Sequence, residues 1–373
     1  MYILDVQQFD RLLSTLHKRG YVTIGPVVRD GAIVLEEVRT LNDFPVGWHD
    51  THKPGGYALA RGQDEEVFGY VLGPQSWKKY LTPPRTKLFT ARRDGKSFVV
   101  ETGNDIQRRS YAFIGVRPCE LKAIAIHDKV FRDGEFADTT YTANRESAFL
   151  VVVNCTRGGE TCFCTSMNTG PKATEGFDLS LTEVYLEGVH HFVVEAGSEK
   201  GESLLSDMQC KEATNEEIDR ATRLLARTAE NMTTTLDTTG IVEMLAGNFE
   251  HPEWDDVGKR CLACANCTMV CPTCFCSTVE DITDLAGDRA ERWRRWDSCF
   301  TADFTKIAGG NIRMSTRTRY RQWMMHKLSY WQGQFDVLGC VGCGRCITWC
   351  PAGIDITREA RVIRETSLQP TTE

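Results

Sequence analysis

Cys261-Leu262-Ala263-Cys264-Ala265-Asn266-Cys267-Thr268-Met269-Val270-Cys271-Pro272 and Cys340-Val341-Gly342-Cys343-Gly344-Arg345-Cys346-Ile347-Thr348-Trp349-Cys350-Pro351 state one pattern twice. The pattern is C-x2-C-x2-C-x3-C-P, the run of bacterial two-cluster ferredoxins. Its spacing has a mechanical basis. Three thiolates at intervals of three wrap one tight loop around three corners of a cubane. The fourth cysteine, backed by proline, leads away to the neighbouring cubane. The runs therefore predict two 4Fe–4S clusters with crossed ligand sets. Cys261, Cys264, Cys267 and Cys350 hold one; Cys340, Cys343, Cys346 and Cys271 hold the other. Gly339, Gly342 and Gly344 let the second loop fold closely, so that backbone N–H groups face the sulfurs and tune potential.

The competing reading is structural zinc. Zinc sites usually join two separated ligand pairs, and the doubled run ending in proline does not have that form. The runs are joined by a long spacer, Pro272 to Gly339, which reads as helical and predicts an elaborated helical ferredoxin. From Arg289 to Lys327 the spacer carries ten Lys and Arg against three acids, Glu291, Asp297 and Asp303. That charge fits either a solvated helix face or cations set against anionic clusters. Trp293, Trp296, Trp323, Trp331 and Trp349 are expected to pack this part and keep water from the clusters.

The wider composition agrees. The chain has 373 residues, 41% hydrophobic and 25% charged, which suits a soluble globular protein of about two domains. A net charge of −7 argues against bulk nucleic-acid binding. The N-terminal stretch Met1 to Leu13 lacks a basic segment followed by an apolar core, so no secretory signal is expected. No apolar run is long enough to span a bilayer, and a cytoplasmic location is expected. Sixteen cysteines in a reducing compartment call for metal rather than disulfides. None precedes Cys119, and eleven lie between Cys261 and Cys350.

Residues 1–205 read as a mixed α/β domain. Tyr21 to Val28 and Ala32 to Val38 flank Arg29-Asp30-Gly31 as a hairpin. Ser97 to Glu101 is a further strand. Tyr111 to Val116 is a buried strand leading into Arg117-Pro118-Cys119-Glu120 and a helix from Leu121 to Val130. Ala148 to Val153 is another, running into Asn154-Cys155. Leu179 to Leu186 and His190 to Glu195 form a second strand pair. Residues 206–250 read as a helical linker, opened by the capping box Thr214-Asn215-Glu216-Glu217. Residues 251–373 form the mostly helical ferredoxin-like domain. The predicted fold class is therefore α+β.

Eight cysteines remain. Cys119 and Cys155 follow the C-terminal ends of two buried strands, which in a parallel sheet face one crevice. Cys162 and Cys164 come soon after, in Thr-Cys-Phe-Cys. These four converge on a third cluster or are buried inert thiols; the residues leave both readings open. Cys274, Cys276 and Cys299 fit packing around the clusters better than ligation, because only three are present. Cys210 has no special setting. Gly-Gly pairs at 55–56, 158–159 and 309–310 make no nucleotide-binding pattern. His49 and His52 sit in a loop-like stretch with no acidic partner at helical spacing. No catalytic residue is expected.

Several further motifs carry a family resemblance. They are Arg117-Pro118-Cys119-Glu120, Cys162-Phe163-Cys164-Thr165-Ser166-Met167, Thr169-Gly170-Pro171, Trp296-Asp297-Ser298-Cys299 and the segment Gly339 to Cys346. Together they resemble the iron–sulfur beta subunit of soluble NAD(P)-linked nickel–iron hydrogenases, the sulfhydrogenases. The related iron–sulfur electron-entry component of anaerobic sulfite reductase is similar. The resemblance spans nearly the whole chain; Asn168 departs from it, standing where glycine is expected. It implies an electron-transfer subunit working between a flavin subunit that binds NAD(P)H, a small iron–sulfur subunit and a nickel-bearing large subunit. A sulfite reductase setting would replace the nickel subunit with one bearing sirohaem. A reading of another class is an iron–sulfur redox sensor, whose clusters would be labile and exposed.

The cluster reading is checked by metal analysis of the anaerobically purified chain. About eight iron atoms with equal acid-labile sulfide are expected for two cubanes and about twelve for three. Zinc without iron overturns it.

Overall fold

The computed structural model describes residues 1–71, 73–102, 109–186 and 188–367. Its larger sheet has eight strands in the spatial order Lys211–Glu212, Tyr2–Asp5, Val189–Ala196, Leu179–Leu186, Phe149–Val153, Tyr111–Val116, Val22–Arg29 and Ala32–Glu37. The four strands from Leu179–Leu186 to Val22–Arg29 run parallel. Antiparallel neighbours complete both sides. Phe149–Val153 is buried throughout because both faces of a central parallel strand are covered. Val151 and Val153 face a core with Phe9, Leu12 and Leu204. Leu150 and Val152 face the opposite core with Trp77, Phe113, Leu121 and Tyr141. The hairpin at Asp30-Gly31 forms as expected, with both residues at positive φ (49° and 73°).

Helices and sheets both contribute throughout, and the protein is α+β as the sequence predicted. The hairpin Trp48–Lys53/Gly56–Arg61 carries His49 and His52, which are therefore on a strand and not in a loop. Segment 206–250 divides its contacts. Helix Asn215–Glu230, opened by the reciprocal Thr214–Glu217 capping box, packs on the strand Leu179–Leu186. Helix Ile241–Gly247 packs instead against His326–Tyr330.

The spacer differs from the helical expectation. Ser277–Thr283 and Arg289–Trp296 form a hairpin, and it pairs with a second hairpin, Arg85–Asp94/Ser97–Thr102, from the other half of the chain. The result is a four-stranded antiparallel sheet. Dense Arg content obscured the period-2 pattern of Arg289–Trp296. Its arginines meet acids: Arg292 pairs with Asp281 (2.7 Å), Arg295 with Glu280 (3.1 Å), and Arg294 with Asp138. This part of the basic stretch is thus paired at the surface. The rest is helical: Thr316–Met325 continues through a wide π-type turn, His326–Tyr330, into Trp331–Phe335. No helix among the described residues is long and apolar enough to cross a membrane.

Arg260 ties the helix Glu253–Arg260 to the C-terminal helix Ile356–Glu365. It contacts Asp256 (2.8 Å), Glu359 (2.8 Å) and Glu253 (3.4 Å). Burial, followed by the adjacent Glu359, pushes the Glu253 carboxyl up to about 7. An acid whose pKa is raised by folding favours the folded state below its unfolded value and costs stability as pH rises through the folded one. Melting temperature should therefore decline between pH 5 and 8 through this group. Glu253→Gln should flatten that decline, and identical pH profiles for the two proteins would refute the assignment.

Candidate metal centres

The two cysteine runs adopt one loop conformation. Ala263 and Ala265 have φ of 50° and 67°, and Gly342 and Gly344, at the equivalent positions, have 64° and 73°. These left-handed residues turn the chain around each set of sulfurs. Backbone N–H groups then point at sulfur: Ala263 donates to Cys261 Sγ at 3.4 Å, Gly342 to Cys340 Sγ at 3.5 Å and Ile354 to Cys350 Sγ at 3.4 Å. Such donors are the usual means of tuning a cluster.

Each run's sulfurs lie near one another and near the fourth cysteine of the other run. Cys267 lies in electrostatic reach of Cys261, Cys350 and Cys264. Cys346 lies in reach of Cys340, Cys343 and Cys271, and next of Cys267. Burial raises the thiol pKa of Cys261, Cys267 and Cys346, and raises that of Cys340 to about 12. Thiols so buried ionise only when a metal replaces the proton. Cys271 is the exception and is held well below the ordinary thiol range. A hydrogen bond from Cys274 is the largest cause, with the Lys327 cation also lowering it.

Lys327 sits on the π-type turn, a feature frequent at functional sites. It is buried, and its ammonium lies 3.2 Å from Cys271 Sγ, 3.1 Å from Thr273 Oγ1 and 3.4 Å from Gly339 O. Lys78 is also buried; it donates to Thr268 O and Cys274 O and lies over the Trp296 ring. Arg117 is buried against Phe68 O and Tyr70 O, with Nη1 4.0 Å from Cys155 Sγ. Among the described residues none of these three cations has a carboxylate within 4 Å. Lys327 and Arg117 face cysteine sulfur instead, and Lys78 faces the carbonyl of Cys274. A buried charge needs a counter-charge, and anionic clusters at these cysteines would supply it.

The N-terminal cysteines also converge. Cys119, Cys155, Cys162 and Cys164 are all buried. The strands before Cys119 and Cys155 are parallel neighbours, so both residues reach one end of the sheet. Cys164 feels Cys155 and Cys162, and Cys119 feels Cys164 and Cys155. Glycines border the set: a Cβ at Gly170 would lie 2.9 Å from Cys164 Sγ, and one at Gly159 3.2 Å from Cys162 Sγ. Asn168 has φ 54°. It occupies the left-handed region that glycine adopts freely and asparagine tolerates, so the turn survives the departure from the family pattern.

A tetrahedral zinc site, with Zn–S near 2.3 Å, places its sulfurs about 3.8 Å apart. Among the described residues, the trio of potential ligands found within 4.8 Å of one another is His49, Asp64 and Glu66, and no cysteine takes part. Among the described residues no cysteine trio is as compact as a one-ion site requires. At His49/Asp64/Glu66, the Arg157 guanidinium stands 2.9 Å from His49 Nδ1 and opposes a cation there. His52 pairs with buried Asp50 at 2.8 Å.

Comparison with known proteins follows the same lines. A family model described as a 4Fe-4S dicluster domain matches residues 260–354. Over 368 residues the chain is 30% identical to the sulfhydrogenase 2 subunit beta of Pyrococcus furiosus, covering 97% of this chain and 98% of that protein. The chain belongs to the sulfhydrogenase beta-subunit family. No solved structure matches. This beta-subunit homologue is an iron–sulfur protein with a dicluster domain built into an α/β body.

The cations of this beta-subunit homologue were missed from sequence. Lys78 precedes every cysteine, and Lys327 was one among ten basic residues. Arg345, inside the second run, is buried and pairs with buried Glu120 at 2.7 Å. That ion pair pins the run to the Arg-Pro-Cys-Glu turn. Gly342 and Gly344 complete the contact: a Cβ would lie 2.6 Å from the carbonyl carbon of Phe163 and of Thr161 respectively. Gly344→Ala should therefore cost about 2 kcal/mol or more and lower iron retention. Ala265→Gly should gain up to about 1 kcal/mol, because Ala265 bears a left-handed φ that glycine adopts freely. Anaerobic melting curves read both signs.

Proposed function

We propose that this chain relays electrons through 4Fe–4S clusters between a flavin subunit that oxidises or reduces NAD(P)H and a nickel–iron hydrogenase module, in a cytoplasmic complex. The ligands are Cys261, Cys264, Cys267 and Cys350 for one cubane, and Cys340, Cys343, Cys346 and Cys271 for the second. Cys119, Cys155, Cys162 and Cys164 hold a third. Each cluster, when bound, supplies one-electron donor and acceptor chemistry. The protein holds the sulfurs, sets the local charge and excludes water.

The observation that carries this reading is that the three sets are contiguous. Cys343 lies in electrostatic reach of Cys119, Cys162 and Cys164. Cys346 lies in reach of Cys267. The series begins in the buried crevice of the α/β body and ends at Cys264, which is exposed beside exposed Leu262. Exposure of Cys264 and of the apolar Leu262 at the outermost set suits docking of a redox partner. The family relationship supports a hydrogenase as the enzyme served, since the relative is named a sulfhydrogenase subunit. The small iron–sulfur subunit and the nickel-bearing large subunit belong to the same reading.

Purification of the tagged chain from its native cells tests the assembly. A nickel-binding large subunit and a flavoprotein are expected to copurify, whereas a sirohaem subunit overturns the hydrogenase assignment. Lys327 tests the wiring. Lys327→Met removes a buried cation beside Cys271 and should lower the reduction potential of the second cubane by on the order of 100 mV. A redox titration followed by electron paramagnetic resonance reads that shift, and an unchanged potential refutes the role of Lys327.

A further inference from the structure

Cys274, Cys276 and Cys299 do not belong to any of the three sets, yet they meet around one cavity. Cys276 and Cys299 share a hydrogen bond, Cys274 shares one with Cys271, and Cys274 also feels Cys276. The cavity they line with His326 and Lys327 measures about 30 Å³. The space lined by Cys261, Cys264, Cys267 and Cys350 has the same volume, about 30 Å³. Packing thiols would be expected to fill their space with apolar neighbours and leave no such void.

The surroundings favour an anion in that cavity. Lys327 lines it and Lys78 lies in electrostatic reach of Cys274 and Cys276, and neither has a carboxylate within 4 Å among the described residues. One of these charges is answered at Cys271. The other, Lys78, has only backbone carbonyls and the Trp296 face. Neither ring nitrogen of His326 has a hydrogen-bond partner among the described residues; the ring meets Phe275 and Trp331. An imidazole left without a polar partner at the wall of a cysteine-lined cavity is a ready ligand. The tripeptide Cys274-Phe275-Cys276 repeats the form of Cys162-Phe163-Cys164. Phe275 turns into an aromatic cluster with Phe131 and Trp331. Among the described residues the three sulfurs do not form a trio within 4.8 Å of one another, a spacing that suits an occupant larger than one metal atom.

We propose that Cys274, Cys276 and Cys299 hold an additional iron–sulfur cluster, with His326 facing its remaining iron. It lies beside both ferredoxin cubanes, since Cys299 is in reach of Cys267 and Cys274 of Cys271. A centre so placed is a branch of the relay, able to hold a second electron next to the main path.

Iron and acid-labile sulfide are counted on the full-length chain, isolated anaerobically, as wild type and as Cys299→Ala, Cys274→Ala and Cys299→Ser. The alanine variants are each expected to lose about four iron and four sulfide, while the paramagnetic signals of the two ferredoxin cubanes persist. Cys299→Ser keeps side-chain size and so preserves packing. It should still lose those atoms or change the signal of that one cluster. A Cys299→Ser protein with unchanged iron and unchanged spectra overturns the inference, whatever the alanine variants do. A count that falls in Cys119→Ala but not in Cys274→Ala or Cys299→Ser overturns it too, and leaves the proposed relay standing. His326→Ala should alter the spectrum of the additional cluster alone; no alteration removes His326 from the site.

Discussion

Buried positive charge facing sulfur is the constraint around which this protein is arranged. Arg117, Lys78 and Lys327 each lie within the protein, away from carboxylates and close to cysteines. Without an anion at the cysteines, each would carry a desolvation cost of several kcal/mol. With clusters bound, the same cations offset negative charge in a medium that screens weakly. The fold and its metal are thus energetically inseparable. Burial raises the thiols of Cys119, Cys267 and Cys346, which stay protonated until metal arrives.

A second consequence concerns how the two halves of the chain meet. The Arg345–Glu120 pair, the close approach of Gly342 and Gly344 to residues 161–163, and the shared four-stranded sheet all cross between the α/β body and the dicluster body. The hydroxyl of Thr169 also donates to Val341 O at 2.6 Å. The second cysteine run is therefore seated in the crevice that holds the N-terminal cysteines. Relative motion of the two bodies would change the separation of neighbouring cysteine sets, and these contacts oppose it.

Much of this was legible in the sequence, for specific reasons. The cysteine runs encode their own loop geometry, because ligation by three-residue steps leaves few backbone paths. The buried strands Tyr111–Val116 and Phe149–Val153 announced themselves as short apolar runs, and Cys119 and Cys155 were placed by the rule for parallel strand ends. The hairpin Ser277–Trp296 was not legible, because charge density hid its alternation and its partner strand lies almost two hundred residues earlier. The cations were not legible either. A lysine carries no local sign that it will be buried, and Lys78 is brought to sulfur only by long-range packing. Cys274, Cys276 and Cys299 looked one ligand short, since their histidine neighbour comes from a helix further along the chain.

The proposed crossing of the fourth cysteine between runs also bears on how the molecule is made. Cys267 and Cys350, and Cys271 and Cys340, are separated by most of the last third of the chain. On a ribosome building from the N-terminus, neither proposed quartet of the ferredoxin runs is complete until the second run has emerged. The α/β body, with its parallel sheet closed early by residues 22–186, can fold first and present its crevice. Iron insertion into the dicluster half then waits for the second run, and the nascent protein must keep the earlier thiols of that half from oxidation until it appears.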